Sequence, residues 1–301
     1  MTATVSFPID SPRDPRTATV AYERKGAGEP LLLLHGIGHH LQAWHPVTDI
    51  LAAEFDVIAV DLPGFGASES LPAGVPYDLD TIAPALGALC SELGVERPHV
   101  AGNSLGGLLA LEMGRAGLVR SVTALSPAGF WTEGERRYAF TVLKAMRAGA
   151  RTLPLPLLER LSRSALGRAA LTGAIYAHPA RRTPEAVVAE TLALRGASGF
   201  EQTLAAGGSV RFTEDVPDVP VTLAWGSGDR LLPPRQGVRA KHTLPGARLV
   251  RLPGCGHVPM HDDPALVARV ITDTAHAADT TRATDTAHTP DTRTASTITL
   301  R

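Results

Sequence analysis

Short apolar runs alternate with amphipathic stretches along most of this chain. A continuous apolar run is typical of a strand buried on both faces of a sheet, and one occupies residues 31–34. Further, mostly apolar strands of this kind are expected at 56–60, 98–101, 121–125 and 221–225. Strands with more polar residues are expected at 17–23 and 247–252. Helical spacing follows most of these strands, at residues 44–53, 79–93, 105–111, 235–244 and 264–272. This alternation predicts an α/β fold with a doubly wound, mostly parallel sheet.

The alternation stops between residues 130 and 210. Arginine-rich amphipathic segments with leucine and alanine replace the strands there. Within this region Thr183-Pro184-Glu185 has the pattern of a helix start, with an N-cap, a first-turn proline and an acid. We therefore predict a helical cap at 130–210, which lies over the carboxyl edge of the sheet. The core is then formed by residues 1–129 and 211–273.

The two ends of the chain differ from the rest. Residues 1–16 are interrupted by proline and aspartate, and we expect them to be loose. Residues 274–301 repeat threonine, alanine, aspartate, arginine and histidine with almost no large apolar side chain. Such a tail cannot bury enough surface to offset its ordering entropy, so we expect disorder or order induced by a partner.

Charge and composition narrow the class of protein. The net charge is −1, which gives no indication of a basic surface for nucleic acid or anionic lipid. The two cysteines, Cys90 and Cys255, are too few for a disulfide framework or a cysteine metal site. The first residues lack the apolar core of a signal peptide, and no apolar run approaches the length of a membrane span. These features predict a cytoplasmic protein, monomeric or homodimeric, that acts on a small molecule.

The stretch Gly102-Asn103-Ser104-Leu105-Gly106 joins a predicted strand to a predicted helix. Glycines two positions before and after a serine suit a strained turn that lifts the serine hydroxyl off the sheet. Ser104 is therefore the candidate nucleophile. An ordinary strand–helix turn with serine as the N-cap is the alternative.

Two further residues follow later strands. Asp229 lies in a glycine-rich loop after the strand that ends at Trp225, and His257 lies in a loop after the strand at 247–252. A serine needs a base to take its proton and a carboxylate to orient that base, and the chain has them in the order Ser, Asp, His. We predict that Ser104, Asp229 and His257 form a catalytic triad. The neighbouring strand that ends at Leu125 is followed by no acid.

An oxyanion hole requires two backbone N–H donors. Leu105 supplies one at the start of the helix after the serine, and Ile37 supplies the other from the loop His35-Gly36-Ile37-Gly38, with Gly38 as the second choice. The nearby histidines His39, His40 and His45 leave a metal site as an alternative. No acid or cysteine with matching spacing supports that alternative, and we expect no metal and no cofactor.

At this point the chain resembles the α/β-hydrolase superfamily. The matching motifs are LLLLHG (31–36), DLPGFGAS (61–68), GNSLGG (102–107), WGSGD (225–229) and GCGHVP (254–259). The resemblance implies an eight-stranded sheet with a helical cap inserted after strand six. It also implies cofactor-free esterase, lactonase or thioesterase chemistry. Epoxide hydrolases and haloalkane dehalogenases of this architecture carry aspartate in place of Ser104, so the serine argues against both activities.

We therefore expect a serine hydrolase that cleaves an ester, lactone or thioester of a small apolar substrate through an acyl-enzyme. One alternative is carbon–carbon bond hydrolysis of the ring-cleavage type, although His39 and Val258 depart from that pattern. Another is a hydrolase-fold binding protein with little turnover. Acyl transfer to an alcohol or amine would need the same residues as hydrolysis.

Substrate contacts are expected from Gly36, Gly38 and Val258 beside the triad, and from Phe130 and Trp131 where the cap begins. For the two aromatic residues, packing of the cap on the core is an equal alternative. Cap leucines would suit an apolar substrate group but also suit helix packing. The cap arginines Arg181, Arg182 and Arg195 are candidate carboxylate ligands, although arginine on amphipathic helices is usually solvated.

Overall fold

A central sheet of eight strands organises the computed structural model, which describes residues 1–9 and 16–287, with side chains up to residue 280. The order across the sheet is β1-β2-β4-β3-β5-β6-β7-β8. The first two strands run antiparallel to their neighbours, and the rest are parallel. The strands are β1 Ala3–Pro8, β2 Thr17–Lys25, β3 Glu29–Leu34, β4 Phe55–Val60, β5 His99–Asn103, β6 Ser121–Leu125, β7 Val221–Gly226 and β8 Arg248–Leu252. This confirms the predicted α/β fold.

Helices cover both faces of the sheet, and five more lie between β6 and β7. The core helices are α1 His45–Leu51, α2 Leu79–Glu92, α3 Leu105–Arg115, α9 Arg235–Thr243 and α10 Pro264–Ala287. The five inserted helices are α4 Glu133–Thr152, α5 Leu155–Ser162, α6 Ala165–Thr172, α7 Pro184–Gly196 and α8 Phe200–Ala206. Short 3-10 helices cover Leu41–Trp44, Pro179–Arg181 and Pro259–His261.

Two apolar layers sandwich the sheet. On one face Leu32 and Leu34 of β3 pack with α2 and α3, and on the other Leu31 and Leu33 pack with α1 and α10. Successive side chains of a strand point to opposite faces, so a continuous run of leucines is what a strand covered on both sides requires. No helix in the described part of the chain is long and apolar enough to cross a membrane.

The N-terminal expectation was wrong for residues 3–8, and residues 10–15 of that stretch lie outside the described residues. Residues Ala3–Pro8 form β1, which pairs antiparallel with β2 from Ala3 opposite Tyr22 to Pro8 opposite Thr17. Phe7 is buried against the core, and Val5 is partly buried beside it. The alternation of these two apolar residues with polar neighbours places one face of an edge strand on the core.

The C-terminal expectation was wrong as far as residue 287. Helix α10 continues beyond the predicted end at Thr272 and reaches Ala287, and residues 288–301 of the predicted tail lie outside the described residues. Ala275 and Ala278 are buried, and the Thr274 hydroxyl donates to Thr222 Oγ1 on β7 at 2.7 Å. Small side chains let this helix lie close against the sheet without large apolar residues.

Side-chain caps and ion pairs hold the inserted helices. Thr132 and Glu135 form a capping box at the start of α4, and Glu135 also pairs with Arg235 and Arg239 on the core helix α9. The start of α7 is as predicted, because Thr183 Oγ1 accepts from the Ala186 N–H at 3.2 Å. The first turn of α4 is therefore held against the core by ion pairs.

Candidate active site

Ser104 lies at a strained turn between β5 and α3. Its φ is 56° and its ψ is −113°, a conformation that side-chain-bearing residues rarely adopt. A β-carbon on Gly102 would lie 2.0 Å from the Gly106 carbonyl oxygen, and one on Gly106 would lie 2.1 Å from the Leu34 carbonyl oxygen. Both positions therefore require glycine, as the sequence pattern predicted. The turn aims Ser104 into a large cavity beneath the inserted helices.

His257 and Asp229 meet at the carboxyl edge of the sheet. His257 Nδ1 lies 2.8 Å from Asp229 Oδ2, and both side chains are buried. Asp229 Oδ1 accepts the backbone N–H groups of Leu231 at 2.9 Å and Leu232 at 2.8 Å. Four acceptor positions on a carboxylate allow all three bonds, so the acid is fixed in one orientation toward the imidazole. His257 also lines the cavity that contains Ser104.

The backbone of the histidine loop is held from two sides. The His257 and Val258 N–H groups both donate to the Ile175 carbonyl of the inserted region, at 2.8 and 3.0 Å. Asn103 Nδ2 donates to the His257 carbonyl at 2.8 Å and to the Leu125 carbonyl at 3.1 Å. Asn103, the residue before the serine, therefore holds the loop that carries the histidine. The sequence did not predict this role.

Asp262 is a second positioning residue that the sequence analysis did not assign. Its carboxylate accepts the Gly256 N–H at 2.8 Å and the N–H groups of Ala177 and His178, each at 3.1 Å. The two loops are in close contact, since a β-carbon on Gly256 would lie 2.6 Å from the Ala177 nitrogen. The loop that carries His257 is thus fixed to the inserted helices as well as to the sheet.

Ile37 and Leu105 lie on the two sides of Ser104. Leu105 is the first residue of α3, where a backbone N–H has no acceptor within the helix. Ile37 lies in the loop after β3 and lines the cavity together with Gly36 and Ser104. A β-carbon on Gly36 would lie 3.2 Å from the Ser104 β-carbon, so the loop passes close to the serine. This placement suits the predicted pair of oxyanion donors.

His35 and Asp61 hold the loop that carries Ile37. The His35 Nε2 accepts the Leu62 N–H at 3.0 Å, and Nδ1 lies 2.8 Å from the Gly36 carbonyl, so Nδ1 carries the proton. Burial lowers the pKa of His35 to about 4 despite the attraction of Asp61. Asp61 accepts the N–H groups of Leu41 at 2.6 Å and Ala67 at 2.8 Å. A neutral histidine therefore serves as a fixed connector at this position.

The cavity has a volume of about 560 Å³ and lies between the sheet edge and the inserted helices. The candidate substrate contacts Gly36, Gly38 and Val258 line it. Most of its remaining wall is apolar and comes from helices α4 to α7 and the links between them, including Leu143, Met146, Leu153, Leu161, Leu171, Ile175 and Leu194. A cavity of this size suits a small organic molecule.

The two aromatic candidates occupy different places. Trp131 borders a smaller cavity of about 50 Å³ that Ile37, Ser104 and Leu105 also line. Phe130 lies outside the wall of either cavity and packs on Phe212, with ring centroids 5.6 Å apart. Trp131 also packs, with its ring centroid 5.8 Å from that of Phe140, so the packing alternative describes both residues and only Trp131 shares a cavity with the serine.

Of the other histidine and arginine candidates, His39 and Arg182 belong to one cluster with Tyr176 and His261. His39 lines the cavity, and its Nε2 lies 3.3 Å from the Tyr176 hydroxyl. The Tyr176 ring contacts His261 edge-on and lies under the Arg182 guanidinium, which pairs with Glu190. Burial lowers the pKa of His261 to about 3.

The other two cap arginines, Arg181 and Arg195, have different surroundings. Arg195 donates to the carbonyls of Ala150 and Leu153, and it therefore serves helix packing. Arg181 is exposed. No group of three metal-ligating side chains occurs among the described residues, so the cluster at His39, His40 and His45 lacks a built metal site.

The sequence model of the alpha/beta hydrolase family matches residues 31–270, which include all three triad candidates. The chain belongs to the alpha/beta hydrolase family.

Relatives of this hydrolase include an uncharacterised Mycobacterium tuberculosis protein. The two are 29% identical over 275 residues, which cover 86% of this chain and 80% of the relative. An epoxide hydrolase of the same organism is 33% identical over 60% of this chain and 87% of its own length. A thermophilic esterase from Thermogutta terrifontis shares the fold, with a TM-score of 0.72 at 22% identity over 92% of this chain and 99% of the esterase.

Proposed function

We propose that this hydrolase is a serine hydrolase that cleaves an ester-type bond of a small apolar substrate through an acyl-enzyme. The observation that carries the proposal is the arrangement of Ser104, at a strained turn, with the hydrogen-bonded pair His257 and Asp229 on the same cavity. A serine becomes a useful nucleophile when a base accepts its proton and an acid orients that base. The arrangement supplies both functions.

In the first step, the Ser104 hydroxyl oxygen attacks the carbonyl carbon and its proton passes to His257 Nε2. The carbonyl π electrons move to oxygen, where the N–H groups of Ile37 and Leu105 stabilise the negative charge. The tetrahedral intermediate then collapses and expels the alcohol or thiol, which takes the proton from His257. Asp229 stabilises the imidazolium in between.

In the second step, water takes the place of the serine. His257 removes a proton from water as the oxygen attacks the acyl carbon, and the same two N–H groups stabilise the second oxyanion. Collapse breaks the bond to Ser104 Oγ, which recovers its proton from His257, and the carboxylic acid leaves. All protons and electrons balance through these residues, so the cycle requires no cofactor.

The apolar lining of the cavity supports a substrate with a sizeable alkyl or aryl group. Each methylene removed from water contributes roughly 0.8 kcal/mol of binding. We expect kcat/KM for p-nitrophenyl esters to increase from acetate to hexanoate. A flat or falling series would contradict the assignment of this cavity as the acyl or alcohol site.

Labelling with a fluorophosphonate tests the nucleophile itself. We expect intact-mass spectrometry to find one adduct per chain and peptide mapping to place it on Ser104. Ser126 is a matched control, because it follows the neighbouring strand β6, is buried and also has a positive φ. The Ser126→Ala variant should keep the adduct and Ser104→Ala should lose it. An adduct that survives in Ser104→Ala would contradict the proposal.

Labelling combined with turnover assays separates the alternative functions. Labelling at Ser104 without turnover of any ester would favour a ligand-binding protein. Turnover of a ring-cleavage diketone in preference to every ester would favour carbon–carbon bond hydrolysis. Product analysis with an added alcohol or amine separates acyl transfer from hydrolysis.

A further inference from the structure

The mouth of the large cavity opens through the inserted helices. Five residues both line the cavity and are exposed to solvent, and they mark where the cavity meets bulk water. They lie at the end of α4, in the link to α5 and near the end of α6, and they are Ala145, Gly149, Thr152, Pro154 and Ala170. The mouth therefore lies between α4 and α6, with the start of α5 beside it.

Large leucine side chains face water around this mouth. Leu166 is 85% exposed and lies one helical turn before Ala170, on the same face of α6. Leu157 is 43% exposed and lies one turn before the cavity-lining Leu161 on α5. Leu155, at the start of α5, is 41% exposed. Exposed apolar residues that lie together beside a cavity entrance are candidates for a binding surface.

Basic residues accompany these leucines. The segment 144–168 contains six lysine or arginine residues and one acid, Glu159. Arg147 and Arg151 pair with Glu201, and Arg168 donates to backbone carbonyls. The other three, Lys144, Arg160 and Arg163, are exposed and form no ion pair with an acid among the described side chains.

We propose that this cap rim, formed by Leu155, Leu157 and Leu166 with Lys144, Arg160 and Arg163, docks on the surface of an anionic phospholipid bilayer. Helices that lie in a membrane interface combine apolar residues that enter the acyl boundary with cations that contact headgroups. The rim has both, and it surrounds the entrance of an apolar cavity. An apolar substrate would then pass from lipid to cavity without crossing water.

This inference revises the expectation drawn from total charge. A net charge of −1 describes the whole chain, whereas attraction to a charged surface depends on the charges within about one Debye length of it. The local excess of cations at the rim is what such a surface would encounter. Docking at the rim does not depend on the hydrolytic chemistry, so the two proposals can fail separately.

Co-sedimentation with vesicles tests the rim directly. The full-length protein is mixed with vesicles of phosphatidylglycerol and phosphatidylcholine in equal parts, or of phosphatidylcholine alone. We expect binding to the anionic vesicles that weakens with added salt, and at least about ten-fold weaker binding by the double variant Leu157→Ser/Leu166→Ser. Ile50→Ser is the matched control, because Ile50 is 48% exposed on the core helix α1 and should leave binding unchanged.

A second variant and a second readout complete the test. Arg160→Gln/Arg163→Gln should bind more weakly and lose part of the salt dependence. Hydrolysis of a soluble p-nitrophenyl butyrate should stay within about two-fold of wild type in both double variants, because none of the four residues lines the cavity.

Three outcomes would overturn the docking proposal. They are no binding to anionic vesicles, equal binding by wild type and the leucine double variant, or light scattering that finds a dimer which the leucine variant abolishes. The last would assign the rim to a second copy of this chain. Ester turnover without vesicle binding overturns the docking alone, and vesicle binding without turnover of any ester overturns the proposed function alone.

Discussion

At the residue scale, the candidate site depends on how its side chains are held. Asp229 uses one carboxylate oxygen for His257 Nδ1 and the other for two backbone N–H groups, so rotation of the carboxylate would break three hydrogen bonds. This fixes the tautomer of His257 with its proton on Nδ1 and leaves Nε2 free to accept a proton. A base in that tautomer is what the proposed first step needs.

Replacement of Asp229 by asparagine tests this arrangement. The amide can no longer impose the Nδ1-protonated tautomer or stabilise the imidazolium, and we expect kcat to fall about 10⁴-fold with KM little changed. Steady-state kinetics on a p-nitrophenyl ester measures the loss. Asp273→Asn, on the surface of α10, is the control and should be indistinguishable from wild type. A loss of less than about ten-fold in Asp229→Asn would contradict the role given to this acid.

Sequence could predict Ser104, Asp229 and His257 because their residue types and order after successive strands carry information. It could not assign Asn103 or Asp262. Their partners are backbone atoms, namely the His257 carbonyl for Asn103 and three N–H groups for Asp262. Every residue has a backbone carbonyl, so the type of the partner residue does not reveal such a contact. It can be identified only when the positions of the two loops are known.

At the element scale, the strand–turn–helix unit from β5 to α3 depends on close backbone contact. Gly102 packs on the Gly106 carbonyl, and Gly106 packs on the carbonyl of Leu34 in the neighbouring strand. These contacts leave no room for a side chain, and they hold α3 directly behind Ser104. The position of the proposed nucleophile is therefore set by packing between elements.

A Gly106→Ala substitution tests that packing. The new β-carbon would lie 2.1 Å from the Leu34 carbonyl oxygen, so the start of α3 must shift. We expect a loss of about 2–4 kcal/mol in the free energy of unfolding, measured by urea denaturation. Gly134→Ala on α4 is the control: nothing lies within 4 Å of its added β-carbon, and it should be neutral or slightly stabilising. Equal stabilities in the two variants would contradict the account.

The elements that sequence missed are those with weak apolar signals. Strand β1 has only Val5 and Phe7 facing the core, and nearby prolines hide their alternation. Residues 274–278 of α10 pack through alanine and threonine, whose burial gains little per residue but allows a close approach to β7. Both elements gain stability from neighbours that are distant in sequence, which local patterns do not contain.

At the scale of the whole molecule, histidines whose pKa is lowered by burial link stability to pH. Burial lowers the pKa of His35 and His99 to about 4 and that of His261 to about 3. In the unfolded chain each has a pKa of about 6.5, so below that pH the unfolded state binds protons that the folded state excludes. Stability is therefore fully present above about pH 7 and declines as the pH falls toward 4.

Urea denaturation at two pH values measures this effect. Each of these histidines should lower the free energy of unfolding by about 1.4 kcal/mol between pH ~7.5 and ~5.5. The variant His261→Phe removes one such contribution and should reduce the pH dependence by about that amount. His242→Gln, on the exposed surface of α9, is the control and should keep the wild-type dependence. Stability that increases on acidification would contradict the assignment of neutral buried histidines.

Different parts of the fold supply the proposed catalytic residues and the wall of the cavity. The sheet edge supplies the triad candidates, and the inserted helices supply most of the cavity wall and its mouth. The alternation of apolar strands with helices made the triad candidates predictable from the sequence. The cavity wall was not predictable. A leucine on an amphipathic helix suits a cavity wall, helix packing or an exposed rim, and only its neighbours in space decide between them.

Replacement of Ser104 by alanine removes the proposed nucleophile. The measurement is kcat/KM on a p-nitrophenyl ester, with circular dichroism to establish that the variant is folded and Ser126→Ala as the control. We expect Ser104→Ala to fold and to lose at least about 10⁴-fold in kcat/KM, whereas Ser126→Ala should retain activity. Turnover by folded Ser104→Ala within about ten-fold of the wild type would contradict the role proposed for Ser104.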